Sequence, residues 1–195
     1  MSIKQDVIKY STGVEAGYVN DPDDLGGETN HGITKKTAEE YKYLWSKYGW
    51  DGNMKTMPID LAYEIYSIGW WDKLYLDKVS LLSENLAYEM FDFGINAGRT
   101  NCVTELQRIL NVTNKLGTLY PDLVVDGVMG NNTLKAINIY VKKTDKGSEK
   151  LAALLWGMRV TYYVRISESR DKNEKFTNGW FNRSWNNLIR MMKSL

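Results

Sequence analysis

Apolar residues recur every three or four positions along almost the whole chain, and that rhythm breaks most clearly at Asn20 to Gly32. Such spacing is the period of a helical face, which restricts the chain to a mainly α fold. The interruption, "NDPDDLGGETNHG", is turn chemistry, and it predicts a short hairpin or ordered loop near residues 18–32. The first stripe starts at Ile3, Val7 and Ile8 and continues by steps of four through Ser11 to Glu15. Gly17 offers a left-handed cap, so the first helix is expected to end near Glu15. Thr34 is a good N-cap for a helix running through "KKTAEEYKYLWSKYG" to Gly49.

Pro58 marks the start of a further helix with Leu61, Ile65 and Ile68 on one face. Ser83 to about Phe93 makes the next, with Leu86, Met90 and Phe93 in phase, followed by "TNCVTELQRILNV" with Val103, Leu106 and Leu110. A helix is expected from about Asn131, then the most apolar and central one in "SEKLAALLWGMRVTYYVRISES", then a short last one in "GWFNRSWNNLIRMM". The chain has 195 residues, enough for one core or a core with a subdomain. Gly94–Thr100 is the best boundary between a region 1–98 and a region 99–195. It is too short to separate independent domains, so one continuous fold is expected.

A net charge of +1 supplies no field to draw nucleic acid or an anionic membrane. Cys102 is the sole cysteine, which excludes an intramolecular disulfide and a thiolate metal cluster. His31 is the sole histidine, a polar packing residue or a substrate contact. A Cys102–His31 dyad has no convincing third group to orient it. "DPDDLGGE" lacks EF-hand spacing, so neither a metal nor another cofactor is expected. The N-terminus has no apolar signal core, and no run is long enough to span a bilayer. Synthesis in a cytoplasm, no stable membrane insertion and a separate route to any outside target are therefore expected.

Glu15 shares its stripe with Ile3 and Val7 and ends its helix at the negative pole of the macrodipole. Desolvation and the dipole both disfavour the carboxylate, so its pKa is expected to rise. A carboxyl kept protonated in this way is what a glycosidase needs to protonate a leaving oxygen. A salt-bridged glutamate at a helix end is the other role open to it. Asp21, Asp23 and Asp24 follow on the turn-rich segment. One of them facing Glu15 at about 5 Å would act as a nucleophile, and at about 6.5–9.5 Å would leave room for a water. Thr29 both donates and accepts, as a residue orienting that water must.

"EAGYVNDPDDLGGETNHGIT" resembles the signature of the glycoside hydrolase family 108 lysozymes, with its E-G-G-Y, V-N-D-P-x-D-x-G-G-x-T and G-I-T blocks. "IYSIGWWDKL" and "FDFGINAGRTNCVTELQ" are similar to further family segments. "LQRILNV" and "VVDGVMGNNTLKAIN" resemble the predicted peptidoglycan-binding region that usually follows. From its residues alone, that glycine turn is equally a tight entry into a helix. The resemblance implies a lysozyme-like helical fold with a small irregular or β-hairpin lobe after the first helix. It implies a peptidoglycan hydrolase that cuts the β-1,4 bond between N-acetylmuramic acid and N-acetylglucosamine, with Glu15 as general acid. Similarity to the family 24 phage lysozymes adds Asp24 and Thr29, the threonine one position early. Tyr18, Asn30, Trp70, Trp71 and Asn96 are the expected substrate contacts. A monomeric phage endolysin freed by a holin suits the absence of a signal peptide, with bacterial peptidoglycan as its partner. A lytic transglycosylase and a non-catalytic peptidoglycan-binding or virion protein are the alternatives. Two departures from the pattern, Ala16 and Leu25, remove no functional group.

Overall fold

Helical periodicity becomes helices almost everywhere, and the departures come where aromatic side chains crowd the backbone or a charge enters the core. The structure, a computed structural model, describes residues 2–12, 17–20 and 27–193. The chain divides into two compact units, Met1–Lys73 and Leu74–Leu195.

The first unit opens with α1 (Ile3–Thr12), which buries Val7, Ile8 and Ser11; its expected end at Glu15 lies outside the described residues. A two-stranded antiparallel hairpin follows, β1 (Thr29–Asn30) and β2 (Ile33–Thr34), pairing Thr29 with Thr34 and Asn30 with Ile33. Its two central residues, His31 and Gly32, have φ of 51° and 74°. Two successive positive φ angles mark the type I′ turn, whose twist matches that of the strands. Thr34 then caps α2 (Lys35–Glu40), its hydroxyl accepting from the Thr37 amide at 3.2 Å.

The helix expected to continue to Gly49 breaks at Tyr41 and resumes as a 3₁₀ helix over Lys42–Tyr48. The indole N–H of Trp45 donates to the Ala38 carbonyl at 3.1 Å, and its ring packs edge-on against Trp50, with centroids 4.7 Å apart. Four aromatic residues in eight positions (Tyr41, Tyr43, Trp45, Tyr48) also lose rotamer freedom in an α-helix. A short 3₁₀ turn at Met54–Thr56 leads to α3 (Ile59–Tyr66), where Pro58 stands at the N-cap as expected.

The expected continuous face of Leu61, Ile65 and Ile68 is interrupted. Residues Ser67–Asp72 form a π-helix, so Ile68 is only half-buried, while Gly69 and Trp71 are buried. The wider turn steps five residues from Tyr66 to Trp71 and brings both to the interior.

The second unit contains α4 (Leu76–Ser80), α5 (Glu84–Ala97), α6 (Arg99–Val112), α7 (Asn131–Lys143), α8 (Gly147–Glu168) and α9 (Glu174–Lys193). Ser83 caps α5 through the Leu86 amide at 3.1 Å, and Leu86, Met90 and Phe93 are fully buried. Each such side chain contributes about 1.5–3 kcal/mol by leaving water. The last helix is longer than expected, because it begins before Gly179 and carries that glycine inside it. α8 lies centrally, packed by α5, α6, α7 and α9. No helix among the described residues is long and apolar enough to cross a membrane.

The α8 core stripe runs by fours through Leu151, Leu155, Arg159, Tyr163 and Ser167, so a guanidinium stands at its centre. Arg159 is fully buried; its Nε lies 2.9 Å from Glu89 and its Nη1 pairs with Asp92. Arg183 from α9 adds a bond to Asp92 at 2.8 Å. Asn187 donates to Glu89 and Asp92 at 3.3 and 3.1 Å. Two carboxylates thus meet two guanidinium groups and an amide inside the helical core.

Burial outweighs the Arg159 attraction at Glu89 and pushes its carboxyl from 4.5 up to about 7. A raised folded value gives a stability contribution complete below pH 4.5 and lost as pH rises through about 7. At about 1.4 kcal/mol per pH unit the loss approaches about 3 kcal/mol. Glu89→Gln does not titrate and is expected to flatten the fall in urea-unfolding free energy between about pH 5 and 7.5. A slope equal to that of the unsubstituted chain would place the effect elsewhere.

The segment between α6 and α7 has no regular structure, yet it is pinned along its length. Asn111 makes two bonds with the Leu123 backbone, at 2.9 and 2.7 Å. Gln107 donates to Asp126 at 2.8 Å and accepts from the Gly127 amide at 2.9 Å. Asn114 donates to Asp122 at 2.6 Å. Two side-chain amides on α6, Gln107 and Asn111, and a third just beyond its end, Asn114, therefore fix the loop's shape.

Candidate active site

Of the sequence-predicted catalytic residues, Thr29 is described, while Glu15 and Asp24 lie outside the described residues, as do Asp21 and Asp23. Thr29 is held on both sides. Its strand pairs with β2, and it makes a bridge with Val19 through bonds of 2.8 and 2.9 Å. The chain on either side of the turn-rich segment is thereby drawn together, with Tyr18 next to Thr29's strand. The Thr29 hydroxyl donates to the Gly27 carbonyl at 2.9 Å, so its remaining capacity is to accept.

Tyr18 is half-buried and donates to Glu28 at 3.0 Å. Lys35 adds a bond to the other Glu28 oxygen at 3.3 Å, and the Lys55 ammonium lies 5.4 Å above the Tyr18 ring. The Tyr18 hydroxyl first, and Lys35 next, hold the Glu28 carboxyl below its ordinary value. Desolvation and Glu28 push the Tyr18 phenol up. Glu28 is therefore a fixed anion and not a proton donor. Sequence reasoning passed over it because its pairing with Tyr18 depends on strand register across a turn-rich segment, which no local pattern reveals.

Asn30 is buried, and both ends of its carboxamide are engaged: it donates to the Met54 carbonyl at 2.6 Å and accepts from the His31 amide at 2.9 Å. His31 places Nε2 3.1 Å from the Met57 carbonyl. A carbonyl only accepts, so this nitrogen carries the proton. Tyr66 donates to the His31 carbonyl at 2.9 Å. Three side chains thus fasten the hairpin tip to the 3₁₀ turn and to the end of α3.

Gly32 has a left-handed φ, and a Cβ there would stand 2.5 Å from the Tyr66 hydroxyl. Gly32→Ala is expected to destabilise the protein by about 1–3 kcal/mol, through strain and displacement of Tyr66. A thermal melt unchanged from that of the unsubstituted chain would contradict it.

Trp70 is half-buried, with its ring 5.5 Å from Tyr66, whereas Trp71 has no exposed surface and belongs to the core. Asn96, in the second unit, is exposed and donates to the Asp92 carbonyl of its own helix at 2.7 Å. Cys102 is buried in α6, and burial pushes its thiol well up, the opposite of what a nucleophile needs. Among the described residues no group of three or more His, Cys, Asp or Glu could hold a metal ion. A cavity of about 770 Å³ in the first unit, lined by Ile8, Lys9, Tyr63 and Glu64 among others, shares no residue with the hairpin.

Residues 8–98 match the family described as Glycosyl hydrolase 108, and residues 101–185 match the Predicted Peptidoglycan domain. No curated protein matches the chain. Among solved structures the chain is similar to that titled "Structure of Brucella abortus SagA", at 24% identity and a TM-score of 0.70, covering 97% of this chain and 94% of that one. At that identity the likeness is one of fold. The chain thus carries a region matching glycosyl hydrolase family 108 over residues 8–98 and a predicted peptidoglycan domain over residues 101–185, and it is a glycoside hydrolase acting on peptidoglycan.

Proposed function

We propose that the protein is a muramidase that hydrolyses the β-1,4 bond between N-acetylmuramic acid and N-acetylglucosamine, with Glu15 as the general acid. The family match across residues 8–98, a span that contains the whole of Glu15 to Thr34, carries this reading. Asp24, or Asp21 or Asp23 in its place, balances the developing oxocarbenium charge or activates the water. Thr29 accepts a hydrogen bond from that water and so turns its lone pair toward the sugar, a role that fits a hydroxyl whose proton is already engaged by Gly27. Tyr18 and Trp70, both in the first unit, offer ring faces to the glycan. Asn30 acts by holding the hairpin, and Trp71 by filling the core.

The biological setting we propose is that of a monomeric phage endolysin, made in the host cytoplasm and reaching the wall through holin lesions. Mass spectrometry of the muropeptides released from purified sacculi tests the chemistry. New reducing N-acetylmuramic acid ends are expected. Ends in the 1,6-anhydro form would make it a transglycosylase, and wall binding without new muropeptides would make it a non-catalytic binder.

A further inference from the structure

A cavity of about 610 Å³ opens in the second unit between the pinned loop, α6 and the start of α7. That is an ordinary size for a small-ligand site. Its walls mix aliphatic side chains, Leu123, Val124, Val128 and Ile139 among them, with polar ones from Gln107, Asn131, Asn132 and Thr133. Val124 and Val128 are 78% and 61% exposed, although the loop that carries them is held in place by three amides. The aromatic side chain in the lining, Tyr120, is 6% exposed, and its hydroxyl donates to the Leu110 carbonyl. No open ring face is offered for a sugar to stack on.

The charged groups at the cavity are Asp122, Asp126 and Lys135. One oxygen of Asp122 accepts from Asn114, and one oxygen of Asp126 accepts from Gln107 and from the Val128 amide. The Gln107 amide first, and the Val128 amide next, hold the Asp126 carboxyl below its ordinary value. The second oxygen of each carboxylate makes no hydrogen bond among the described residues, and Lys135 makes no ion pair among them. A trough of mixed aliphatic and polar lining, with two carboxylates and one lysine, complements a zwitterion with an alkyl arm that ends in an ammonium group.

Peptidoglycan offers two chemistries, a sugar strand and a short peptide whose diamino acid carries an amine on an alkyl chain. We infer that this cavity binds the peptide and not the glycan, with the diamino-acid ammonium at Asp122 and Asp126 and a peptide carboxylate at Lys135. The inference rests on the reading of peptidoglycan as the substrate, and it adds which half of the polymer the second unit grips. Substrate is then held through the peptide by the second unit, while the first unit addresses the sugar bond.

Titration calorimetry on the full chain tests it with three probes: a sugar-free stem tetrapeptide with a free diamino-acid amine, the same peptide with that amine acetylated, and an N-acetylglucosamine tetrasaccharide. The free-amine peptide is expected to bind, and acetylation is expected to weaken it at least tenfold. Asp122→Asn keeps the bond from Asn114 and is expected to weaken the free-amine peptide at least tenfold as well. Val124→Ser, at an exposed wall position, is expected to weaken it several-fold with an unchanged thermal melt.

Equal binding of the acetylated peptide, no binding of either peptide, or displacement of bound peptide by the tetrasaccharide would each overturn the inference. Reducing-end release from sacculi is read separately. Hydrolysis without peptide binding overturns this inference alone, whereas peptide binding without hydrolysis overturns the catalytic reading alone.

Discussion

Glu15→Gln is expected to slow the release of reducing ends from purified peptidoglycan by about 10²–10⁴-fold or more, the range over which a positioned general acid acts. Glutamine is close in shape to glutamic acid but has no proton of the right acidity to give the leaving oxygen. The sequence spacing leads us to expect a raised Glu15 pKa, so a second consequence is expected for pH. The unsubstituted chain should lose activity on the alkaline side as this carboxyl ionises, and the residual activity of the variant should lack that limb. Thermal melts of the two proteins should agree, since the two side chains are nearly isosteric. Full activity in the variant would end the assignment. An alkaline limb that persists in the variant would move the acid role to another carboxyl, though not to Glu28, which Tyr18 and Lys35 keep ionised.

Arg159→Met is expected to lower the unfolding free energy by about 3–5 kcal/mol, because it leaves Glu89 and Asp92 buried without their shared cation. At the usual conversion for a chain of this size that is roughly 10 °C in Tm. The deficit should shrink toward acid pH, where the stranded Glu89 carboxyl takes up a proton. Asp92 keeps its bond from Arg183, so Glu89 should carry most of the penalty, and adding Glu89→Gln to Arg159→Met should recover part of the loss. Urea unfolding at two pH values reads all three effects. A loss under about 1 kcal/mol, the size of an exposed ion pair, would show that water reaches the cluster.

Local chemistry explains which parts of this fold were legible in the sequence. The Ser83 and Thr34 caps and the Leu86, Met90 and Phe93 stripe could be read because each depends on neighbours within a turn or two. The hairpin could be read because the asparagine, histidine and glycine at its tip favour positive φ. The π-helix could not, because it changes the period itself: a face counted in threes and fours puts Ile68 inside, while a step of five puts Trp71 there. Arg159 sits on the core stripe at the correct spacing and reads as a flaw in it until α5 and α9 supply its partners. In the candidate site, Asn30 beside a glycine turn resembles a surface contact. Its burial depends on Met54, 24 residues away, which no pattern in the sequence connects to it.

The loop between α6 and α7 takes its shape from Gln107 and Asn111 on α6, which reach its backbone and Asp126, and from Asn114, which holds Asp122, while its valines face outward. Form and surface are thus written in separate residues. Positions such as Val124 and Val128 are open to replacement without disturbing the scaffold that displays them. Recognition residues on such a loop can change while the frame that holds them stays fixed, much as an antibody varies its loops on a constant scaffold.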